Sequence, residues 1–271
     1  MIKAIAADMD GTFLTDEKEY DKQRFLKQYE KMKANGIAFI VASGNQYWHL
    51  KKYFPEIAEE ITFIAENGAC IIEKGKVVFE RALPKVVITD ILDVLERNED
   101  LKDFRLVMSG KKHAYIYKES APEYMKKAQF FYQELQAIKD YRTVEDTIYK
   151  FALNFPAETV GTCVQTIQEN LFQRVKAVTS GHEAVDLIDP SVGKEAGLTF
   201  LMKRWQLEKD QIAVFGDNLN DLGMFELVNY SFAMGNSREE LKDVAYKIIG
   251  TNNQHAVLDQ IDVLLEEERR N

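Results

Sequence analysis

Ile2-Lys3-Ala4-Ile5-Ala6-Ala7-Asp8-Met9-Asp10-Gly11-Thr12 decides how the rest of the chain is read. The run from Ile2 to Ala7 is nearly all apolar, as expected of a central parallel strand covered on both faces. It opens into a turn that carries two carboxylates two residues apart. At the C-terminal end of a strand, residues i and i+2 project the same way, so Asp8 and Asp10 converge. Converging acids repel each other, and a hard divalent cation with oxygen ligands, Mg2+ in the first place, would offset that repulsion. A calcium loop also begins Asp-x-Asp-Gly. Here Thr12, Phe13 and Leu14 follow Gly11, without the later oxygen ligands and closing glutamate of a twelve-residue loop.

Outward from this stretch, strand and helix patterns alternate. A helix is expected over 21–35, with Phe25, Tyr29 and Met32 on one face and Gly36 ending it. The buried strand 37–42 ends in Ser43-Gly44-Asn45, a helix spans 46–54, and the strand 61–65 ends in Glu66-Asn67-Gly68. Residues 69–72 and 76–80 read as a hairpin through Lys74-Gly75. Alternation of this kind predicts right-handed crossovers and a doubly wound parallel sheet. After Pro84 the texture changes to single helices between pairs of strands: helix 86–97, strands 104–109 and 113–118, helix 122–135, strand 149–155, helix 159–171, strands 175–180 and 184–188. The first pattern returns with a helix from Gly193 to Trp205, the strand 211–215, a helix after Asn218, the strand 230–234 and helices to the end. The chain is therefore an α/β protein, with a core in 1–83 and 189–271 and an inserted α+β domain in 84–188.

A length of 271 residues suits one large domain or two moderate ones, and 46% hydrophobic residues supply a sizeable core. The net charge of -9, with no lysine and arginine stripe, argues against a nucleic-acid partner held through phosphates. Cys70 and Cys163 lie far apart, match no metal or redox spacing, and read as reduced thiols. No apolar run reaches the length of a membrane span and no signal peptide is legible, so a cytoplasmic protein is expected.

A doubly wound sheet binds ligands beyond the C-terminal ends of its strands. Four polar turns fall there. The first carries Asp8 and Asp10. In the second, the Ser43 hydroxyl and the backbone N–H groups at Gly44 could hold a phosphoryl oxygen, although a turn serine that caps the next helix reads the same way. The third places Lys194 at the start of a helix, where a lysine is a phosphate contact or merely a solvated charge. The fourth, Gly216-Asp217-Asn218-Leu219-Asn220-Asp221, could complete a metal shell or simply cap its helix.

In this order the four turns resemble those of the haloacid dehalogenase (HAD) superfamily, specifically Cof-type phosphatases, whose Rossmann-like core carries a large α+β cap. The resemblance covers the whole chain and is nearest to a bacterial sugar-phosphatase subgroup. It rests also on Val41-Ala42-Ser43-Gly44-Asn45-Gln46, Ala65-Glu66-Asn67-Gly68-Ala69, Val178-Thr179-Ser180-Gly181 and Tyr230-Ser231-Phe232-Ala233-Met234-Gly235-Asn236. Many relatives have arginine where this chain has Asn45, which removes one phosphate or substrate cation.

The resemblance implies that Asp8 attacks phosphorus to form an aspartyl phosphate, while Asp10 protonates the leaving alkoxide and then deprotonates water. Mg2+ would be held by Asp8, the backbone carbonyl of Asp10, and Asp217, with Asp221 behind them. Ser43, Gly44, Lys194 and Asn220 would hold the phosphoryl oxygens. The cap would close over the site and choose among small phosphorylated substrates, sugar phosphates first, with Asn45, Lys112, His113, Thr179, Ser180, Gly181 and His182 as contacts. Tyr124, Phe130, Phe131 and Tyr132 are expected to pack. Three other readings compete: a phosphosugar mutase or other phosphotransferase, a phosphosugar-binding regulator without turnover, and a metal-dependent glycosyltransferase. The last does not explain Lys194. The sequence assigns no oligomeric state.

Overall fold

The structure, a computed structural model, describes residues 1–179 and 184–268. In chain order, β1 (Ala4–Ala7) leads to α1 (Lys22–Ala34), β2 (Ala38–Ala42), α2 (Tyr47–Lys51), β3 (Thr62–Ala65), β4 (Cys70–Glu73) and β5 (Lys76–Glu80). There follow α3 (Lys85–Arg97), β6 (Arg105–Gly110), β7 (Ala114–Tyr117), α4 (Pro122–Phe131), β8 (Leu135–Ile138), β9 (Ile148–Asn154), α5 (Val160–Asn170), β10 (Lys176–Thr179) and β11 (Ala184–Ile188). The last elements are α6 (Lys194–Trp205), β12 (Ile212–Gly216), α7 (Leu222–Leu227), β13 (Tyr230–Ala233), α8 (Glu239–Lys242), β14 (Lys247–Ile248) and α9 (Ala256–Glu268). The chain forms two compact units. One comprises Met1–Ser43, Glu56–Val78 and Gly193–Asn271; the other comprises Gly44–Pro55 and Phe79–Val192. The second unit thus takes in the short segment after Ser43 as well as the insertion.

The first sheet runs β14-β13-β12-β1-β2-β3-β4-β5. Pairing is parallel from β14 to β3 and antiparallel between β3 and β4. Strand order reverses at β1, which lies between β12 and β2. All four residues of β1 are buried, which is why its sequence lacks polar alternation. Ala7 pairs with Phe215 on one side and Val41 on the other, so the strand ends that precede Asp8, Ser43 and Asp217 lie along one edge. The two-residue turn Lys74-Gly75, with φ of 49° and 73°, closes the β4–β5 hairpin. Asp21 caps α1 by accepting a bond from the Arg24 N–H at 3.0 Å. Gln28 then donates from this helix to the carbonyl of Leu258 in α9.

The second sheet runs β10-β11-β9-β6-β7-β8, antiparallel except for the β7–β8 pair. One face buries Leu106, Met108, Phe151, Leu153, Val185 and Leu187 in a core with α3 and α5. On the other, Val107, Ala114 and Ile116 pack with Tyr124 and Ala128 of α4.

The structure corrects two readings of secondary structure. The helix expected over 122–135 stops at Phe131, and Leu135–Ile138 becomes the edge strand β8. Gln133 to Gln136 are good helix formers, but parallel pairing with β7 overrides that propensity. The short edge strand β14 falls in a region where only helices were expected.

Candidate active site

The site is assembled at the edge where β1, β2 and β12 end. Asp8 continues from β1 and its N–H donates to the Phe215 carbonyl at 3.1 Å, which fixes the carboxylate against the start of the fourth turn. Phe13 anchors the far side of the first turn: its ring lies 5.0 Å from Phe25 of α1 and 5.6 Å from Phe39 of β2. Gly11 sits between these anchors with φ of 79°, and a Cβ there would come within 2.6 Å of an Asp217 carboxylate oxygen. Only glycine combines that conformation with that approach.

Lys194, at the first position of α6, is fully buried. Its Nζ donates to Asp8 Oδ1 at 2.6 Å and to Asp221 Oδ1 at 2.7 Å. The other oxygen of Asp221 accepts from the N–H groups of Asp217 and Asn218 at 3.1 and 3.2 Å, which folds the fourth turn back on itself. Asp217 Oδ1 accepts from the Thr12 hydroxyl at 3.0 Å. Carboxylate oxygens of Asp8, Asp217 and Asp221 come within 4.8 Å of one another.

Three carboxylates share one ammonium, and the imbalance appears in their acidity. Burial pushes the Asp8 carboxyl well above the usual carboxylate range; Lys194 opposes the shift, and the charges of Asp221 and Asp217 add to it. Asp217 is pushed up to about 6 by burial and the charge of Asp221, against the pull of the Thr12 bond and Lys194. Lys194 is raised, because the attraction of Asp221 and Asp8 outweighs its burial. A compact all-oxygen donor set with excess negative charge fits a hard divalent cation. Both oxygens of Asp221 are already engaged, which leaves Asp8 and Asp217 as the carboxylates to take it.

The Asp10 carboxylate stands outside this cluster. It is partly exposed and accepts from Lys18 Nζ at 2.7 Å. Asn220 is half-buried in the single helical turn Leu219–Asp221. Ser43 is buried at the end of β2; its N–H donates to the Ile64 carbonyl, and its own carbonyl accepts from the Asn67 N–H at 3.1 Å. That bond comes from a strained turn. Glu66, Asn67 and Gly68 follow one another with φ of 52°, 54° and 89°, and a Cβ on Gly68 would lie 2.2 Å from the Gly193 carbonyl oxygen. The turn therefore braces Ser43 on one side and the residue before Lys194 on the other.

In the second unit, Gly44 and Asn45 are half-buried, Lys112 is exposed, and His113 and Thr179 are half-buried. Ser180, Gly181 and His182 lie outside the described residues. The N–H groups of Lys112 and His113 donate to Asp146 Oδ2 at 2.9 and 3.3 Å, and the Tyr115 hydroxyl donates to the same atom at 3.1 Å. Among the aromatic residues expected to pack, Tyr124 is buried while Phe130 is 51% exposed.

Sequence reasoning gave no role to Thr12, Asp146, Lys150 or Asp186. Lys150 and Asp186 form a buried pair at 2.9 Å, and Lys150 Nζ also donates to the Gly44 carbonyl at 2.7 Å. Beside them, Gln46 Nε2 donates to the buried Ser109 hydroxyl at 2.9 Å. Lys150 and Asp186 alternate with apolar neighbours, as solvent-facing strand positions do, so no local signal marks them as buried. Thr12 was available within Asp-x-Asp-Gly-Thr, because its hydroxyl is the first side-chain donor after the turn.

The model of the haloacid dehalogenase-like hydrolase family matches residues 5–261. The chain belongs to this family, which bears out the resemblance carried by the four turns. It is 39% identical over 267 residues to 5-amino-6-(5-phospho-D-ribitylamino)uracil phosphatase YbjI of Escherichia coli strain K12, a match that covers 98% of this chain and 97% of the relative. It is 24% identical over 270 residues to Phosphoglycolate phosphatase 1 of Saccharolobus solfataricus, covering 99% and 98%. The solved structure of SMU.1108c from Streptococcus mutans UA159 superposes with a TM-score of 0.94 at 31% identity and covers 98% of this chain and 100% of that one. The protein is thus an enzyme of a hydrolase family whose named relatives are phosphatases. Among the described residues, no helix is long and apolar enough to cross a membrane.

Proposed function

We propose that the protein is a cytoplasmic, Mg2+-dependent phosphomonoesterase that works through a phosphorylated Asp8. The observation that carries this reading is the buried Asp8, bonded to Lys194 inside an over-charged group of carboxylates at the C-terminal ends of parallel strands. Asp8 attacks phosphorus, and its mixed anhydride with phosphate is then cleaved by water. Asp10 gives a proton to the leaving alkoxide and later takes one from the attacking water. Lys194, Ser43, the Gly44 N–H and Asn220 stabilise negative charge on the phosphoryl oxygens. Asp8, the carbonyl of Asp10 and Asp217 would hold Mg2+, which would neutralise charge between carboxylates and phosphate. Asp221 keeps Lys194 and the Asp217 turn in place.

The substrates are small phosphorylated sugars and polyols, with selection assigned to Asn45, Lys112, His113 and Thr179. The 39% identity to YbjI makes 5-amino-6-(5-phospho-D-ribitylamino)uracil the first compound to test. The test is Mg2+-dependent phosphate release across this compound, hexose and pentose phosphates, phosphoglycolate and nucleotides. Turnover of the ribityl or sugar phosphates with trapping of phosphate on Asp8 supports the reading. A wild-type enzyme that releases no phosphate from any of them, or that prefers nucleotides by kcat/KM, sinks it.

A further inference from the structure

The loop after β13, Met234 to Arg238, takes no part in the chemistry described above, yet it touches both halves of the acidic group. Asn236 Nδ2 donates to the carbonyl of Gly11 at 2.8 Å. The N–H of Arg238, two residues on, donates to the backbone carbonyl of Asp217 at 3.0 Å. The loop itself is tied down from behind. Its Met234 N–H donates to the Gly216 carbonyl and its Gly235 N–H to the Gly250 carbonyl. Asn236 Oδ1 accepts from the N–H of Asn252, whose Nδ2 donates to the Leu14 carbonyl and to Asp16.

We propose that Asn236 is a positioning residue that, together with the Arg238 N–H, clamps the Gly11 turn against Asp217 and so sets the spacing of the carboxylates that take a divalent cation. The geometry between the clamped points is tight. Gly11 lies so close to the Asp217 carboxylate that it has no room for a Cβ, and the next residue, Thr12, bonds Asp217 Oδ1. The Gly11–Thr12 peptide is held at both ends, its carbonyl by Asn236 and its N–H by the Met9 carbonyl at 3.3 Å. Release of the carbonyl lets this peptide rotate, which moves the Thr12 hydroxyl off Asp217 and lets the two turns separate. The Oδ1 bond satisfies the N–H of buried Asn252, whereas the bond to Gly11 is exposed and is not explained by a need to satisfy a buried atom. Asparagine suits the task because its amide donates to Gly11 and accepts from Asn252 at once.

The inference rests on the metal reading proposed above, and its test does not depend on turnover. Mg2+ binding to the full-length protein is measured by titration calorimetry without substrate, and the melting temperature is measured in EDTA. Asn236→Ala should weaken Mg2+ binding about 10-fold, as partners that orient a ligand do. The metal-free melting temperature should stay within about 2 °C of wild type, because Asn236 is exposed and water can take over its bonds. Asn236→Asp keeps the acceptor for Asn252 but loses the donor to Gly11. It should weaken binding as well, although an added negative charge by itself favours a cation. Asn253→Ala, which removes bonds to Asp16 only, should leave Mg2+ affinity within about twofold.

The clamp is overturned if Asn236→Ala binds Mg2+ as wild type does, if Asn236→Asp restores wild-type affinity, or if Asn253→Ala weakens it equally. A wild-type protein that binds Mg2+ but hydrolyses no phosphate ester refutes the proposed function and leaves the clamp standing.

Discussion

Among the described residues two lysines are buried, and they are held in opposite ways. Lys150, on β9 of the second unit, donates to the Asp186 carboxylate and to the Gly44 carbonyl. In that buried pair one positive charge meets one negative charge. Lys194, in the first unit, meets Asp8 and Asp221, with Asp217 close behind. One positive charge faces three negative ones, and burial with mutual repulsion raises Asp8 and Asp217. Burial of charge alone therefore does not mark a site. A net charge left uncompensated inside the protein does, because it is tolerated only where a ligand completes it.

The largest effect should follow removal of the nucleophile. Asp8→Asn should lower phosphate release at least about 1,000-fold. The same change removes one of the crowded charges, so its metal-free form should melt no lower than wild type. A variant that keeps a tenth of the activity breaks the assignment.

The Lys150–Asp186 pair should behave in the reverse sense. Lys150→Met removes the ammonium bonded to the buried Asp186 carboxylate and should cost about 3–5 kcal/mol in denaturant unfolding. Adding Asp186→Leu should recover most of that loss, since a buried ion pair can be replaced by apolar side chains of similar volume. If the double variant is no more stable than Lys150→Met alone, the two groups do not act as a pair.

A smaller test uses opposite slopes with pH. In the folded, metal-free protein Asp217 is raised from an ordinary carboxylate to about 6, so between about 4 and 6 the folded state binds more protons than the unfolded one. Its ionisation disfavours the fold, and the loss is complete above 6. Asp217→Asn should therefore stabilise the metal-free protein by about 1–3 kcal/mol at pH 7, and this gain should fade as pH falls toward 5. Asp189 of the second unit is the opposite case. Burial raises it, but bonds from the Ser191 hydroxyl and N–H and the charge of Arg81 prevail and hold it below its usual value. Its contribution is present at neutral pH and lost as pH falls through the carboxylate range, so Asp189→Asn should destabilise at pH 7 and do little near pH 3. Equal pH trends for the two substitutions, measured by thermal denaturation in EDTA, would remove the contrast between the units.

The same contrast explains what could be read from the chain. The parallel core was legible because β1, β2 and β12 are buried on both faces and their apolar runs end in acidic or hydroxyl-bearing turns. Lys74-Gly75 announced its hairpin through the left-handed conformation both residues adopt. Lys150 and Asp186 were not legible, because strand alternation gives the same pattern for a solvated face as for one covered by a distant segment. Strand β8 was hidden by helix formers on an edge, and β14 spans only two residues. Asn236 stood within a motif that carried the family resemblance, but its partners at Gly11 and Asn252 are brought near only by the fold.

The left-handed turn at Glu66 to Gly68 has a consequence for timing. Two of its residues carry side chains in a conformation that costs roughly 1–2 kcal/mol each, so the isolated segment seldom adopts it. The groups it packs against, Ser43 and Gly193, lie on either side of it in the chain, and Gly193 is far downstream. Its contact with Gly193 forms only after that long loop closes, and long closures are slow. A nascent chain that has not yet reached Gly193 already contains Asp8, Asp10 and Ser43 but has neither the turn's brace nor Lys194. Competence thus arrives late in synthesis, and an unfinished chain carries the acids without the means to use them.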